Sequence, residues 1–148
     1  MLDTHIYDLI IADPGLADHI NHLTDSDKVV ILCTHVQDDE LSKIVDIDKR
    51  EKVFNIKRHI VSTAGAIYGI SRYGMATYGD GSQSGISLDQ IRSPEKRHSK
   101  DALIATTAAR DADVLVTEDR RLINRFKAAS STCEVWQFEQ FKQYLSNL

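Results

Sequence analysis

Four carboxylates stand where they can act together: Asp3, Glu40, Asp101 and Asp119. The densest stretch runs from Lys100 to Asp119, KDALIATTAARDADVLVTED. It reads as a helix, a turn, the strand Val114-Leu115-Val116, and a Thr117-Glu118-Asp119 tip. Asp101 precedes Ile104, Ala105 and Ala108 by three, four and seven residues, so it shares their buried face. A carboxylate on that face is costly unless a proton, a cation or a metal accompanies it. Asp119 lies just past a strand, Asp3 closes a strand end at Met1 to Asp3, and Glu40 falls early in the helix after a second strand. In open parallel α/β sheets, ligands bind beyond the carboxyl ends of the strands. Four like charges there repel one another unless some are protonated or a cation lies between them. Oxygen-only ligands suit Mg²⁺ or Mn²⁺, which keep several waters for substrate and nucleophile.

These acids need elements that bring them to one side. Asp3 or Thr4 caps a helix through Ile6, Leu9 and Ile10, which Pro14-Gly15 breaks. Leu16, Ile20 and Leu23 mark a second helix, and Thr24 to Asp27 a turn. Val29 to Cys33 is a continuous apolar run, as in a strand buried on both faces. A helix follows Thr34 through Leu41, Ile44 and Val45 and ends in the charged run Asp46 to Lys52; Val53 to Val61 reads as another. Glu40 precedes Ile44 by four residues and so lies on or beside the buried face, with Asp38 close to it as the competing ligand.

From Ser62 to Gly85 helical periodicity fades, and six of the seven glycines fall between Gly65 and Gly85. Ala66 to Tyr73 is predicted to pair with Met75 to Tyr78 as a hairpin near Gly74, followed by a loop over Asp80 to Ser87. After Asp119 come a basic helix over Leu122 to Ala128, a strand at Glu134-Val135-Trp136 and a closing helix from Phe138 to Leu145. This alternation predicts one three-layer α/β/α domain with a mainly parallel central sheet, interrupted by a Gly/Tyr-rich insert at about 62–99.

A chain of 148 residues fits one domain, and its 42% hydrophobic and 27% charged content is that of an ordinary globular protein. No apolar run approaches the ~20 residues that span a bilayer. Met1-Leu2-Asp3 is acidic and lacks the shape of a signal peptide. Cys33 and Cys133 read as reduced thiols, so the expectation is a soluble, cytoplasmic protein. A net charge of −4 argues against a nucleic-acid binder that relies on bulk positive charge. It leaves room for a nuclease, since clustered carboxylates lower the net charge and a bound metal restores positive potential locally.

In Leu2-Asp3-Thr4, Asp39-Glu40-Leu41, Asp101-Ala102-Leu103-Ile104-Ala105 and Val114 to Asp119, with Val135 to Phe138 closing, the chain resembles the PIN domain family. Each piece alone is common; four in order at suitable spacing are specific, and they span most of the chain outside about Ser62 to Ser99. The resemblance implies a metal-dependent endoribonuclease acting on single-stranded or structured RNA. Asp3, Glu40, Asp101 and Asp119 would hold one or two Mg²⁺ or Mn²⁺ ions, and Thr117 would orient Asp119 or a water. It also implies a homodimer, and an antitoxin protein as partner if the chain is the toxin of a toxin–antitoxin pair. Two departures stand out. His5 occupies a position where the family often has Asn, and the insert is long for the most compact toxins. His5, Arg97 and Arg120 are the candidate substrate contacts.

Blander roles compete. Asp3 and Asp119 suit helix caps, Asp101 suits a first helical turn, and Glu40 suits a solvated charge. His19 and His22 lack further ligands at zinc spacing. Trp136, Phe138 and Phe141 read as core, and Arg72, Arg121 and Arg125 as solvated charges or phosphate contacts. Tyr68, Tyr73 and Tyr78 either stack on unpaired bases or cover a sheet edge, with the second favoured. A phosphatase-like hydrolase lacks the Asp-x-Asp pair after the first strand. A non-catalytic module of the same fold, binding RNA or protein, is the alternative. It would not need four carboxylates within ~4–6 Å of one another.

Overall fold

The computed structural model describes residues 1–77, 99–129 and 131–148. Among them the chain is mixed α/β, with seven helices and short parallel strand pairs. The N-terminal segment leads directly into α1 (Thr4–Ala12), with Asp3 as its N-cap. Gly15, at φ +81°, makes the left-handed turn into α2 (Leu16–Asp25), whose buried face is Leu16, Ile20 and Leu23. Then follow β1 (Leu32–Thr34), α3 (His35–Leu41), α4 (Ile47–Phe54), β2 (His59–Val61), β3 (Thr63–Ala64) and β4 (Ala76–Thr77). The C-terminal part holds α5 (Ser99–Asp111), β5 (Val114–Val116), α6 (Arg120–Ala128), β6 (Glu134–Trp136) and α7 (Phe138–Leu145).

β1 runs parallel to β2, and β5 runs parallel to β6. The N-terminal segment lies parallel against the other edge of β5: Asp3 N–H donates to Val116 O at 2.9 Å and Val116 N–H to Met1 O at 2.9 Å. Side chains alternate across these strands. Leu2 and Val116 enter a core with Ile6, Tyr7, Ile20 and Phe141. Met1 and Leu115 enter a second core with Ile104, Ala105, Leu122 and Phe126. Because the neighbours are parallel, the chain leaves Leu2 and Val116 on the same side, toward Asp3 and Thr117.

Four expectations need correction. No helix covers Val53 to Val61. Asp46 caps α4 by accepting from Lys49 N–H at 2.9 Å, so the charged run itself is helical, and His59–Val61 is a strand beside β1. The helix after Thr34 ends at Leu41, and Val45 is almost fully exposed. The run from Val29 is paired only from Leu32, with Val30 turned to solvent. The hairpin is absent: β3 and β4 pair in parallel, Thr63 N–H bonding Met75 O at 3.0 Å. Left-handed glycines at 65, 69 and 74 let the chain turn back between them. The part of the insert beyond Thr77, including Tyr78, Asp80 to Ser87 and Arg97, lies outside the described residues.

α5 is buried on more than one stripe. Ala102, Leu103, Ile104, Ala105, Thr106, Thr107 and Ala108 are all essentially inaccessible. Its two threonines are satisfied: Thr106 Oγ1 donates to Ala102 O at 2.8 Å, Thr107 Oγ1 donates to Leu103 O at 2.6 Å, and Thr107 Oγ1 accepts from Ala64 N–H at 2.9 Å. Burying Leu103 and Ile104 stabilises by about 1.5–3 kcal/mol each. The helix that carries Asp101 is therefore fixed by packing. Cys33 and Cys133 are free and buried, and burial pushes each thiol up to about 11, which makes both inert. No helix among the described residues is long and apolar enough to cross a membrane.

Candidate metal centre

Asp3 sits at the centre of a hydrogen-bonded thread. Its Oδ1 accepts from Thr4 N–H at 2.7 Å, and its Oδ2 accepts from the Thr117 hydroxyl at 2.6 Å. Thr117, immediately after β5, is fully buried; its N–H donates to Trp136 O at 3.0 Å, and its Oγ1 accepts from Asp119 N–H at 3.1 Å. Asp119 in turn caps α6, with Oδ1 accepting from Arg121 N–H at 2.8 Å and Leu122 N–H at 3.2 Å. Its capping role and its place beside Thr117 are compatible, since one oxygen serves both helix bonds.

Burial holds the Asp3 carboxyl above its ordinary value, and the charges of Asp101 and Asp119 push it the same way against the bonds from Thr117 and Thr4. The charges of Asp101, in the first turn of α5, and Asp119, past β5, thus both reach Asp3 at the exit of the N-terminal segment. Glu40 joins through Thr4, whose hydroxyl donates to Glu40 Oε2 at 2.9 Å. The other oxygen, Oε1, accepts from Lys100 Nζ at 2.8 Å, so an ion pair ties α3 to α5. Asp38 goes elsewhere. It pairs at 3.0 Å with Arg58, whose buried guanidinium lies 4.5 Å from the Phe54 ring centroid.

Among the described residues, no group of three or more His, Cys, Asp or Glu side chains is arranged to hold a metal ion. The donor chemistry nevertheless fits Mg²⁺ or Mn²⁺. Mg²⁺ is usually held by one or two carboxylates and keeps the rest of its shell as water. Asp3 offers one such carboxylate, backed by the buried Thr117 hydroxyl and within reach of the charges of Asp101 and Asp119. Glu40 as oriented does not, because Lys100 supplies its counter-charge.

His5 is exposed on α1 and its side chain makes no hydrogen bond among the described residues; Arg120 is exposed at the start of α6. Glu118 is a structural residue: its Oε1 accepts from Phe138 N–H at 2.7 Å and completes the start of α7. Phe138 and Phe141 are core, and Trp136 is half-buried against Tyr144. His19 bonds Leu145 O at 3.2 Å, not a metal partner. Tyr68 and Tyr73 cover nothing, their side chains being fully exposed, which overturns the sheet-edge expectation.

Residues not singled out from the sequence also build the site. Gln37 joins α3 to the N-terminal segment by donating to Leu2 O, and it forms a capping box with Thr34. The Thr34-x-x-Gln37 spacing was the readable signal. His35, 2% exposed, accepts Arg72 N–H on Nε2 at 3.2 Å, while Arg72 pairs with Asp39. Accepting on Nε2 fixes the neutral tautomer with its proton on Nδ1. Burial lowers the His35 pKa, Asp39 raises it and Arg72 lowers it, for a net decrease. A lowered folded pKa means the unfolded chain binds the proton more readily, so stability falls as pH drops below about 6.5. Protection of the amides over 66–75, taken relative to their base-catalysed intrinsic exchange rate, is therefore expected to fall between pH 7.5 and pH 5.5. A His35→Gln variant, which can still accept from Arg72 N–H, should lose that dependence; a pH-independent segment in the parent would contradict the assignment.

Comparison with known proteins adds no relative: no family model, no curated protein and no solved structure matches the chain.

Proposed function

We propose that this chain is a PIN-like, Mg²⁺- or Mn²⁺-dependent endoribonuclease that hydrolyses phosphodiester bonds of single-stranded or structured RNA. The observation that carries the reading is Asp3: a partly buried carboxylate bonded to Thr117 and raised first by burial, with the charges of Asp101 and Asp119 adding to the rise. Around it we infer a single three-layer α/β/α domain with the Gly/Tyr-rich segment as an insert. A cytoplasmic homodimer and a cognate antitoxin belong to the same reading.

Asp3, Asp101 and Asp119 are the proposed metal ligands, and Glu40, paired with Lys100, would be the fourth. When bound, the ion lowers the pKa of a water and stabilises charge on the scissile phosphate. Thr117 holds Asp3 and the Asp119 backbone in one orientation through its single hydroxyl. Lys100 pairs with Glu40 at 2.8 Å and, freed from it, would be a cation available to a phosphate oxygen. His5 and Arg120 flank the acids as candidate substrate contacts. Asp101→Asn tests the reading: with Mn²⁺ and a single-stranded RNA, the variant should lose at least about 100-fold in cleavage rate, since even outer partners of a metal site cost 10–100-fold. Equal cleavage by parent and variant would sink it.

The Lys100–Glu40 ion pair favours a second reading, a non-catalytic RNA- or protein-binding module in which that lysine permanently replaces the metal. Purified protein that binds RNA but never cleaves it with either ion would select this one.

A further inference from the structure

Beyond Arg120, the outer face of α6 has no role assigned so far in the fold or in the carboxylate site. Leu122 and Phe126 anchor the helix in the core, and its outer surface carries the exposed Arg120, Arg121 and Lys127 with the partly exposed Arg125 on the flank, and no acidic residue. Elsewhere Lys49, Arg58, Arg72 and Lys100 each meet a carboxylate. Among the described residues, none of the four α6 cations does.

Local energetics disfavour the arrangement. Arg120 and Arg121 occupy the first turn, where the helix dipole repels cations by about 0.3–1 kcal/mol. Arg121 and Arg125 form a like-charged i, i+4 pair, unfavourable by a few tenths of a kcal/mol. Arg125 and Lys127 sit in the last turn, where the dipole favours cations, so the local contradiction is confined to Arg120, Arg121 and the Arg121–Arg125 pair, on a chain whose net charge is −4. Such local contradictions are expected where function sets the residue. The face also begins at the residue after Asp119, so whatever it binds is led to the carboxylates.

We infer that the Arg120-Arg121-Arg125-Lys127 face of α6 binds the phosphate backbone of single-stranded RNA and feeds it to the Asp3–Asp119 end of the strands. The 1.5 Å rise per residue sets Arg121 and Arg125 about 6 Å apart along the helix, so the two guanidinium groups are staggered along the strand rather than stacked on one phosphate. Contacts of this kind position the backbone and carry no sequence information. The inference rests on the ribonuclease reading only for the direction of the strand; the binding itself needs no metal.

The test is fluorescence anisotropy of an end-labelled single-stranded RNA in EDTA, over salt from about 50 to about 200 mM. Each phosphate contact on a single strand contributes about 0.7 to the slope of log affinity against log salt. Arg121→Gln combined with Arg125→Gln should lower the slope by about 1.4, so the affinity lost across that salt range shrinks roughly sevenfold. Lys142→Gln, which removes a cation paired to Asp13 on α7, should leave the slope unchanged. An unaltered slope in the double variant, or no RNA binding by the parent, overturns the inference. RNA binding with the expected slope but no cleavage leaves it standing and removes the nuclease reading. Cleavage with an unaltered slope does the reverse.

Discussion

Asp3→Asn is expected to raise the melting temperature of the metal-free protein while cutting Mn²⁺-dependent RNA cleavage at least about 100-fold. Asp3 pairs burial with two neighbouring negative charges, and together they outweigh the bonds from Thr4 and Thr117. A carboxyl raised in the folded state binds its proton more readily there than in the unfolded chain. Native stability therefore declines as pH rises from the ordinary aspartate range through the raised value, and the ionised form at neutral pH is a standing cost. An asparagine removes it and keeps a bond on each side, although the Thr117 hydroxyl proton, which Asp3 now accepts, must turn to another acceptor. Its amide oxygen accepts from Thr4 N–H, and its amide nitrogen donates to Thr117 Oγ1. Melts in EDTA from pH 4 to pH 8 should be flatter for the variant. A lower melting temperature at pH 7.5 would contradict the assignment of Asp3 as a destabilised carboxylate. Residues held at a loss of stability are common in working sites.

Gln37→Leu should have the largest effect on stability. Gln37 is fully buried; its Nε2 donates to Leu2 O, and its Oε1 accepts from Thr34 N–H at 2.9 Å and the Thr34 hydroxyl at 3.2 Å. Leucine has similar bulk and none of these bonds. It strands the Leu2 carbonyl and the Thr34 amide, at about 1–3 kcal/mol for each buried group. At 148 residues this corresponds to a fall of roughly 5–20 °C in melting temperature. The bond also joins the segment ending in Asp3 to the helix carrying Glu40. Cleavage measured well below the new melting point should therefore fall as well. A melting temperature within ~2 °C of the parent would show that Leu2 O and Thr34 N–H find other partners.

The parts of the fold with strong periodicity and local punctuation were legible in advance. Leu16, Ile20 and Leu23 after Pro14-Gly15 gave α2, and Asp101 to Asp119 gave α5, β5 and the capping tip. α4 and β2 were misread because α4 buries only Val53, so its apolar pattern vanishes among charges, while β2 is mostly exposed. The parallel pairing of β3 with β4 depends on left-handed glycines and on Thr107 and Arg110 of α5, which no local pattern encodes. The site divided likewise. Asp3, Thr117 and Asp119 lie near strand ends that the sequence marks, and the structure joins them by hydrogen bonds. Sequence spacing ranks Glu40 ahead of Asp38 only narrowly, because the difference is made by Arg58, 20 residues from Asp38, and Lys100, 60 residues from Glu40.

Trp136 is the chain's single tryptophan. Its carbonyl receives the Thr117 N–H, its indole donates to Glu134 at 2.7 Å, and its ring lies 5.1 Å from that of Tyr144. One hydrogen bond therefore separates the only strong fluorophore in the protein from the threonine that holds Asp3. The molecule carries its own optical gauge, and emission from unlabelled protein can follow, in real time, any event that shifts the strand ends.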